Sequence, residues 1–151
     1  MRRASLRLAS LLAAAAMALP CCGRKGYPVL ETLDSMAKAA SARDAGGLFG
    51  HVAADFQAGD GSGRAEAEAL VKRYFAAYEI LSVSIHDVQI ERSENAARVR
   101  LRADLSGQPR QVGGLNGFLP STAMYDFDLR LVADGGTWSV AWASWTRAEG
   151  N

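Results

Sequence analysis

The strongest constraint on the fold comes from residues 80–105, where apolar and polar side chains alternate but the alternation changes phase once. Successive side chains of a β-strand point to opposite faces, so a phase change moves the apolar set to the wrong face unless the backbone bulges. The pattern therefore predicts a bent strand with a bulge near His86 and Asp87. The apolar residues before and after the phase change are Val83, Ile85, Val88 and Ile90.

Three more strands are predicted after this one. Each alternates apolar with polar or charged residues, which is typical of an antiparallel strand with one buried face. Turn sequences at 93–95 and 134–136 and a glycine-rich connection at 106–122 separate them. Their apolar positions are Val99, Leu101, Ala103 and Leu105, then Tyr125, Phe127, Leu129 and Leu131, then Trp138, Val140 and Trp142 in a strand at 137–146.

Helical periodicity precedes the strands. Apolar residues recur every three or four positions at 29–43, in a short piece that Asp44 can cap, and at 64–77, which Asp60 or Ser62 can cap. Between the last two helices, Asp55 and Phe56 form a short strand or a turn. One face of the third helix is expected to carry Leu70, Val71, Tyr74, Phe75 and Tyr78.

This order of elements predicts an α+β domain, in which a curved antiparallel sheet packs on N-terminal helices. We place the domain at residues 29–147, after a signal at 1–21 and a tether at 22–28, and before a tail at 148–151. The two adjacent cysteines, Cys21 and Cys22, precede this domain, so it must be held by its apolar core rather than by internal disulfides.

The N-terminal segment has the composition of a secretory signal. Three arginines precede a Leu/Ala-rich run at 8–19, which is shorter than the roughly 20 residues that a membrane-spanning helix needs. The run ends at Cys21 and Cys22, as in bacterial lipoprotein signals, in which the cysteine is lipidated after cleavage. Cys22 fits better than Cys21 because Leu19 stands three positions before it, and ordinary cleavage after Ala18 remains an alternative.

These features predict export to the bacterial cell envelope and a periplasm-facing domain held at the inner or outer membrane by a lipid. Of the 17 basic residues, three lie in the signal, which leaves 14 against 16 acidic residues in the mature chain. A nucleic-acid-binding domain would show a basic stripe and a high isoelectric point, so we expect no such partner.

The layout resembles the nuclear transport factor 2-like superfamily. The resemblance rests on the order of the elements and on four short cues, and it covers nearly the whole mature chain. It implies a cone-shaped α+β fold, and the superfamily includes ketosteroid isomerases, polyketide cyclases, dehydratases and non-enzymatic binding domains. Small bacterial envelope lipoproteins are the branch that it resembles. The cues are Arg43-Asp44-Ala45, Ala54-Asp55-Phe56, Ala97-Arg98-Val99 and Gly136-Thr137-Trp138.

An isomerase-type site requires a carboxylate base in an apolar pocket and a proton donor whose pKa differs from that of the base. The candidates are Asp55, Tyr74 and His86. Asp104 and Asp126 share faces with arginines and are expected in surface ion pairs. Two histidines without a nearby cysteine or carboxylate cluster do not make a metal site, so we expect no metal and no other cofactor.

The aromatic residues suggest binding surfaces. Tyr74, Tyr78 and Trp138 are candidates for the lining of an apolar cleft. By strand parity, Trp142 shares the face of Trp138, whereas Trp145 lies on the opposite face, where it would suit a homodimer interface on the outer side of the sheet.

No set of ionisable residues converges on inward-facing positions. The sequence therefore favours a lipid-anchored, non-catalytic domain with an apolar cleft that binds a small apolar ligand or a protein. The alternative is an acid–base isomerase, cyclase or dehydratase that acts on a small apolar substrate.

Overall fold

The computed structural model describes residues 27–110 and 120–148. The signal, the two cysteines, most of the predicted tether, the middle of the glycine-rich connection and the last three residues lie outside the described residues. Helix α1 spans Tyr27–Ser41 and so begins two residues earlier than predicted, inside the predicted tether at 22–28.

The chain after helix α1 turns at a left-handed residue, and the end of the helix is fixed there to an edge strand of the sheet. Arg43 has φ 56, which turns the chain into the short helix α2 (Ala45–Phe49), and Asp44 caps α2 by accepting a hydrogen bond from the Gly47 amide at 2.9 Å. The Ser41 hydroxyl contacts the Val83 backbone, accepting from its N–H at 2.9 Å. The Arg43 guanidinium donates to the Tyr78 carbonyl at 2.8 Å.

Helix α3 (Arg64–Ala77) has the predicted bounds but a different cap and a narrower buried face. Its N-cap is Gly63, whose amide donates to the Glu66 carboxylate at 3.1 Å, so the predicted capping by Asp60 or Ser62 is wrong. Asp60 instead accepts from the Ser62 amide and closes the turn before the helix. Phe75 is buried, whereas Leu70, which was expected on the same face, is 47% exposed.

The sheet has five strands, one more than the four long antiparallel strands of the prediction. Asp55 and Phe56 belong to the additional strand, which pairs in parallel with the last strand, so the sheet is mixed. The order across the sheet is β1-β5-β4-β3-β2, which makes β1 and β2 the two edges. The strands are β1 (Val52–Ala58), β2 (Tyr78–Arg92), β3 (Ala96–Pro109), β4 (Thr122–Asp134) and β5 (Thr137–Arg147).

The strand pairing shifts register at four places in the described sheet: between Val52 and Gln57 in β1, twice in β2, and once between β4 and β5. In β2 the register with β3 shifts between His86 and Gln89, and Asp87 has φ 52, which confirms the bulge predicted from the phase change. The shift between β4 and β5 was not predicted. Arg130 pairs with Trp142 while Leu131 pairs with Val140, so Ala141 is an extra residue in β5.

The helices cover one face of the sheet, which we call the inner face. Buried side chains from β3, β4 and β5 form one core cluster with Val29 and Leu33 of α1. Tyr78, Phe75 and Leu81 form a second cluster where α3 passes into β2. We call the end of the sheet near Tyr78 the open end; it also contains Pro109, Thr122 and Arg147, and the hairpin turns at 93–95 and 134–136 lie at the other end.

Gly107 provides the space that the Tyr78 ring occupies at the open end. A Cβ on Gly107 would lie 2.6 Å from the Ile80 carbonyl oxygen and 2.8 Å from the Tyr78 ring. Tyr78 is 1% exposed and pairs with Pro109 across the strands, so neither it nor the backbone can move away without disturbing the sheet.

We expect Gly107→Ala to lower the free energy of unfolding by about 1–3 kcal/mol, because overpacking a filled site forces backbone and side-chain shifts. The measurement is urea denaturation. Ser106→Ala, on the neighbouring exposed residue of the other face, is the matched control and should change stability by no more than about 0.5 kcal/mol. Equal stability of the two variants would contradict this packing.

Candidate functional site

Aromatic side chains meet at the open end of the inner face. Tyr74, in the last turn of α3, and Tyr78, at the start of β2, have ring centroids 5.0 Å apart. Both belong to the α3–β2 core cluster, Tyr78 fully buried and Tyr74 half-buried. The structure thus brings together two of the three residues predicted to line a cleft.

Strands β4 and β5 add three more rings. Tyr125 and Phe127 are neighbours on the inner face of β4, with ring centroids 6.3 Å apart, and Trp145 lies 6.3 Å from Phe127. Trp145 is 37% exposed. We call Tyr74, Tyr78, Tyr125, Phe127 and Trp145 the aromatic cluster.

Trp145 faces the cluster because of the extra residue in β5. Before Ala141, Trp138 and Val140 point to the inner face; after it, Ala143 and Trp145 do so, as their pairing with Leu129 and Phe127 shows. The prediction that Trp145 lies on the outer face is therefore wrong, as is the prediction that Trp142 shares the face of Trp138. Parity counting fails here because a bulge shifts it by one.

Trp142 lies on the outer face, where the guanidinium of Arg130 stacks over its ring at 4.7 Å. Trp138, the third predicted cleft residue, is 4% exposed and belongs to the larger core cluster near the hairpin end. Arg92 lies over its ring at 5.0 Å. Trp138 is therefore packed away from the aromatic cluster.

The two tyrosine hydroxyls of α3 and β2 have different surroundings. The Tyr78 hydroxyl donates to the Pro120 carbonyl at 2.8 Å, which ties the start of β4 to the start of β2. The Tyr74 hydroxyl reaches the Tyr78 hydroxyl oxygen only at 3.5 Å, the limit of a hydrogen bond. Burial raises the pKa of Tyr74 well above its usual range, with a further contribution from the Tyr78 contact, so Tyr74 stays a neutral donor.

One cation stands beside the aromatic cluster. Arg147 is the last residue of β5 and pairs with Tyr125, so its side chain projects from the inner face, as that of Tyr125 does. The field of its charge reaches the Tyr74 hydroxyl, where it opposes the rise in pKa. Arg147 is exposed and forms no ion pair with any residue of 27–110 or 120–148.

The three candidate catalytic residues do not converge. Asp55 lies exposed on edge strand β1. It precedes the buried Phe56, and its side chain points to the opposite face. His86 lies on the outer face of the opposite edge strand, and Tyr74 lies on the inner side. No acid–base pair forms among them within hydrogen-bond distance.

His86 takes part in an ion-pair network on the outer face. Its Nε2 lies 2.8 Å from the Asp104 carboxylate and its Nδ1 lies 3.2 Å from that of Asp87. The Asp104 hydrogen bond is the main cause of a raised His86 pKa, which partial desolvation opposes. Arg102 pairs with Asp126 at 2.8 Å, as predicted for a solvated face.

A shallow groove of about 750 Å³ runs across this charged outer face. A second cleft of about 300 Å³ lies between α3 and the turn that follows α1, near Arg43 and Lys72. In the part of the chain that the structure describes, no three metal-ligating side chains come together, and no helix is long and apolar enough to cross a bilayer. The charged groups of the groove are Asp87, Arg100, Arg102, Asp126 and Asp128.

Tyr125, Phe127 and Arg147 were not predicted as site residues. The alternation of β4 placed the first two on the buried face, but nothing in the sequence showed which rings of other elements they would lie beside. The alternation of β5 could not show on which face Arg147 lies, because that face depends on the unpredicted bulge at Ala141.

No protein-family model and no curated protein sequence matches this chain. Solved structures do match over most of this chain at 10–15% identity, which shows the fold alone. A proposed dehydratase of the nuclear transport factor 2-like family from Streptomyces avermitilis matches with a TM-score of 0.70 and 12% identity, over 83% of this chain and 98% of that one.

A proposed scytalone dehydratase from Novosphingobium aromaticivorans matches with a TM-score of 0.69 and 12% identity, over 82% of this chain and 83% of that one. A nuclear transport factor 2-like protein from Cytophaga hutchinsonii matches with a TM-score of 0.62 and 15% identity, over 80% of this chain and 95% of that one. The chain therefore has the nuclear transport factor 2-like fold: the cone of helices and curved sheet predicted from the order of its elements.

Proposed function

We propose that this protein is an exported, lipid-anchored domain that binds a small apolar ligand and carries out no chemistry of its own. The observation that carries the proposal is the aromatic cluster at the open end. A ring pair from α3 and β2 and a row of three rings from β4 and β5 lie there, with Tyr125 close enough to Tyr74 to raise its pKa, and Trp145 keeps part of its surface exposed. Aromatic side chains with one exposed face are typical of ligand-binding surfaces, because they bury much area at a low entropic cost.

A non-catalytic role is supported by the placement of the ionisable residues. General acid–base catalysis requires a base and a donor within about 3 Å of the same substrate atoms. Asp55 is exposed on edge strand β1, and His86 contacts the carboxylates of Asp87 and Asp104 on the outer face of β2, at the opposite edge. Only Tyr74 of the three candidates reaches the aromatic cluster.

The binding proposal predicts that a neutral apolar fluorophore, N-phenyl-1-naphthylamine, binds the mature domain. We expect Trp145→Ala to weaken this binding about tenfold, because one stacked ring contributes about 1 kcal/mol or more. The measurement is a fluorescence titration of protein carrying Cys21→Ser and Cys22→Ser, which together remove a lipid from either cysteine. Trp142→Ala, on the outer face, is the matched control and should keep full affinity. Absence of binding by the unsubstituted domain, or an equal loss in both variants, would contradict the proposal.

The alternative is an isomerase-, cyclase- or dehydratase-type enzyme. Two of the three structures described above are proposed dehydratases, and the neutral, half-buried Tyr74 hydroxyl is the kind of group that donates to a developing oxyanion. Asp55 would then act as the base after a rearrangement that brings it to the inner side.

Under this alternative, Asp55→Asn should abolish turnover of a small apolar enone or alcohol while leaving the thermal midpoint nearly unchanged, because Asp55 is exposed. Gln57→Glu, on the same face of β1, serves as a control for a change of charge. Turnover that survives Asp55→Asn would exclude Asp55 as the base.

Export and anchoring rest on the sequence of residues 1–22. If Cys22 carries the lipid, Cys22→Ser should release the protein from membranes and abolish the incorporation of labelled fatty acid. Cys21→Ser is the matched control and should leave both unchanged. The opposite result would assign the lipid to Cys21, and no incorporation in the unsubstituted protein would support cleavage after Ala18.

A homodimer through the outer sheet face stays a proposal. Its interface would contain the ion pairs of β2, β3 and β4 and the Arg130–Trp142 stack, rather than Trp145. A monomer in sedimentation velocity of the released protein at high concentration would refute it.

A further inference from the structure

We propose that the aromatic cluster takes a small aromatic carboxylate, with the ring against Trp145 and Phe127 and the carboxylate on Arg147. This inference rests on the proposed binding function and names the class of ligand. It is carried by the register of β4 and β5, which places a cation without an acidic partner among the described residues beside the rings on the same face.

The position of Arg147 follows from the strand pairing. Tyr125 pairs with Arg147 and Phe127 pairs with Trp145, so the four side chains occupy two adjacent rows of one face. Rows of this kind are two residues apart along each strand, about 7 Å, which is close to the length of a two-ring aromatic acid. A ring stacked on Trp145 thus places its carboxylate within reach of the guanidinium.

Charge distinguishes this site from the outer-face groove. There, Arg100 and Arg102 each hold an acidic partner, at 3.3 and 2.8 Å, so the groove has little charge left for a ligand. Arg147 has no acidic partner within 27–110 or 120–148. A guanidinium next to an apolar surface favours an anion with an apolar body over a neutral compound.

Tyr74 gives the site a second donor. Its bond to the Tyr78 hydroxyl is long, at 3.5 Å, and can be exchanged for a shorter bond to a ligand oxygen at little cost. The raised pKa of Tyr74 keeps this hydroxyl protonated, so it can donate to a carboxylate without adding a negative charge.

An aromatic body fits better than an alkyl chain. The neighbouring rings are tilted with respect to each other, at 54° for Tyr125 with Phe127 and 34° for Phe127 with Trp145, which leaves faces and edges for offset stacking. A flexible alkyl chain would lose more conformational freedom for the same contact area.

The test compares 2-naphthoate with 2-naphthamide, which share one ring system and differ in charge at pH 7.5. We expect the carboxylate to bind the released domain about 5- to 10-fold more tightly at low ionic strength, the size expected of a partly exposed charge-assisted pair. Calorimetry gives both dissociation constants. The preference should shrink at 0.5 M salt, where charges are screened over about 4 Å (roughly 3 Å at 1 M and 8 Å at 0.15 M).

Arg147→Gln should abolish the preference by weakening the binding of 2-naphthoate far more than that of 2-naphthamide, and Arg147→Lys should restore part of it. Arg130→Gln, which removes the same charge from the outer face, is the matched control and should leave the preference intact. Circular dichroism confirms that each variant is folded.

Each result bears on a different statement. Equal affinity for the two naphthalene compounds overturns the role of Arg147 but leaves the binding function standing. Absence of binding by both compounds and by the neutral fluorophore overturns the binding function as well. Tighter binding of dodecanoate than of 2-naphthoate overturns the preference for an aromatic body.

Discussion

The shape of this domain depends on bulges in its strands, and two of the extra residues decide the character of its faces. A flat antiparallel sheet could not wrap the helices, and each bulge adds length to one strand and bends it. Asp87 accepts a left-handed backbone to make the first bulge. Ala141 makes the second, and its consequence is chemical as well as geometric, because it decides which tryptophan faces the helices.

The two faces of the sheet consequently differ in character. The outer face is covered by charges that neutralise one another, with the Arg98–Asp128 and Arg102–Asp126 pairs across β3 and β4. Such exposed pairs contribute little to stability but keep the face solvated. The inner face is apolar from the hairpin end to the open end, where its aromatic rings and Arg147 lie.

Much of the fold could be predicted from the sequence, because periodicity and turn residues are local signals. The bounds of α3, the two hairpin turns and the bulge at Asp87 follow from them directly. The bulge at Ala141 leaves no phase change that can be read, since tryptophans and alanines occupy both faces around it. Where the parallel strand β1 lies, the sequence predicted only a short strand or a turn, because the partner of β1 is 85 to 88 residues away in the chain.

The candidate site was predicted only in part for the same reason. Tyr74 and Tyr78 lie four residues apart on a helical face, so their proximity is a local property. The nearness of Tyr125, Trp145 and Arg147 depends on the register of two strands and on one bulge. The alternation of residues along a strand also cannot identify ion-pair partners. It placed Asp104 on the correct face but did not identify His86 as its partner.

The early start of α1 limits how far the domain can stand from a membrane. Tyr27 is already helical and follows Cys22 by only five residues, a length of at most about 18 Å when fully extended. With a lipid on Cys22, the domain would be confined to the thin layer of solution next to the headgroups. A ligand would then be captured from that layer, where amphiphilic compounds partition, rather than from the full depth of the periplasm.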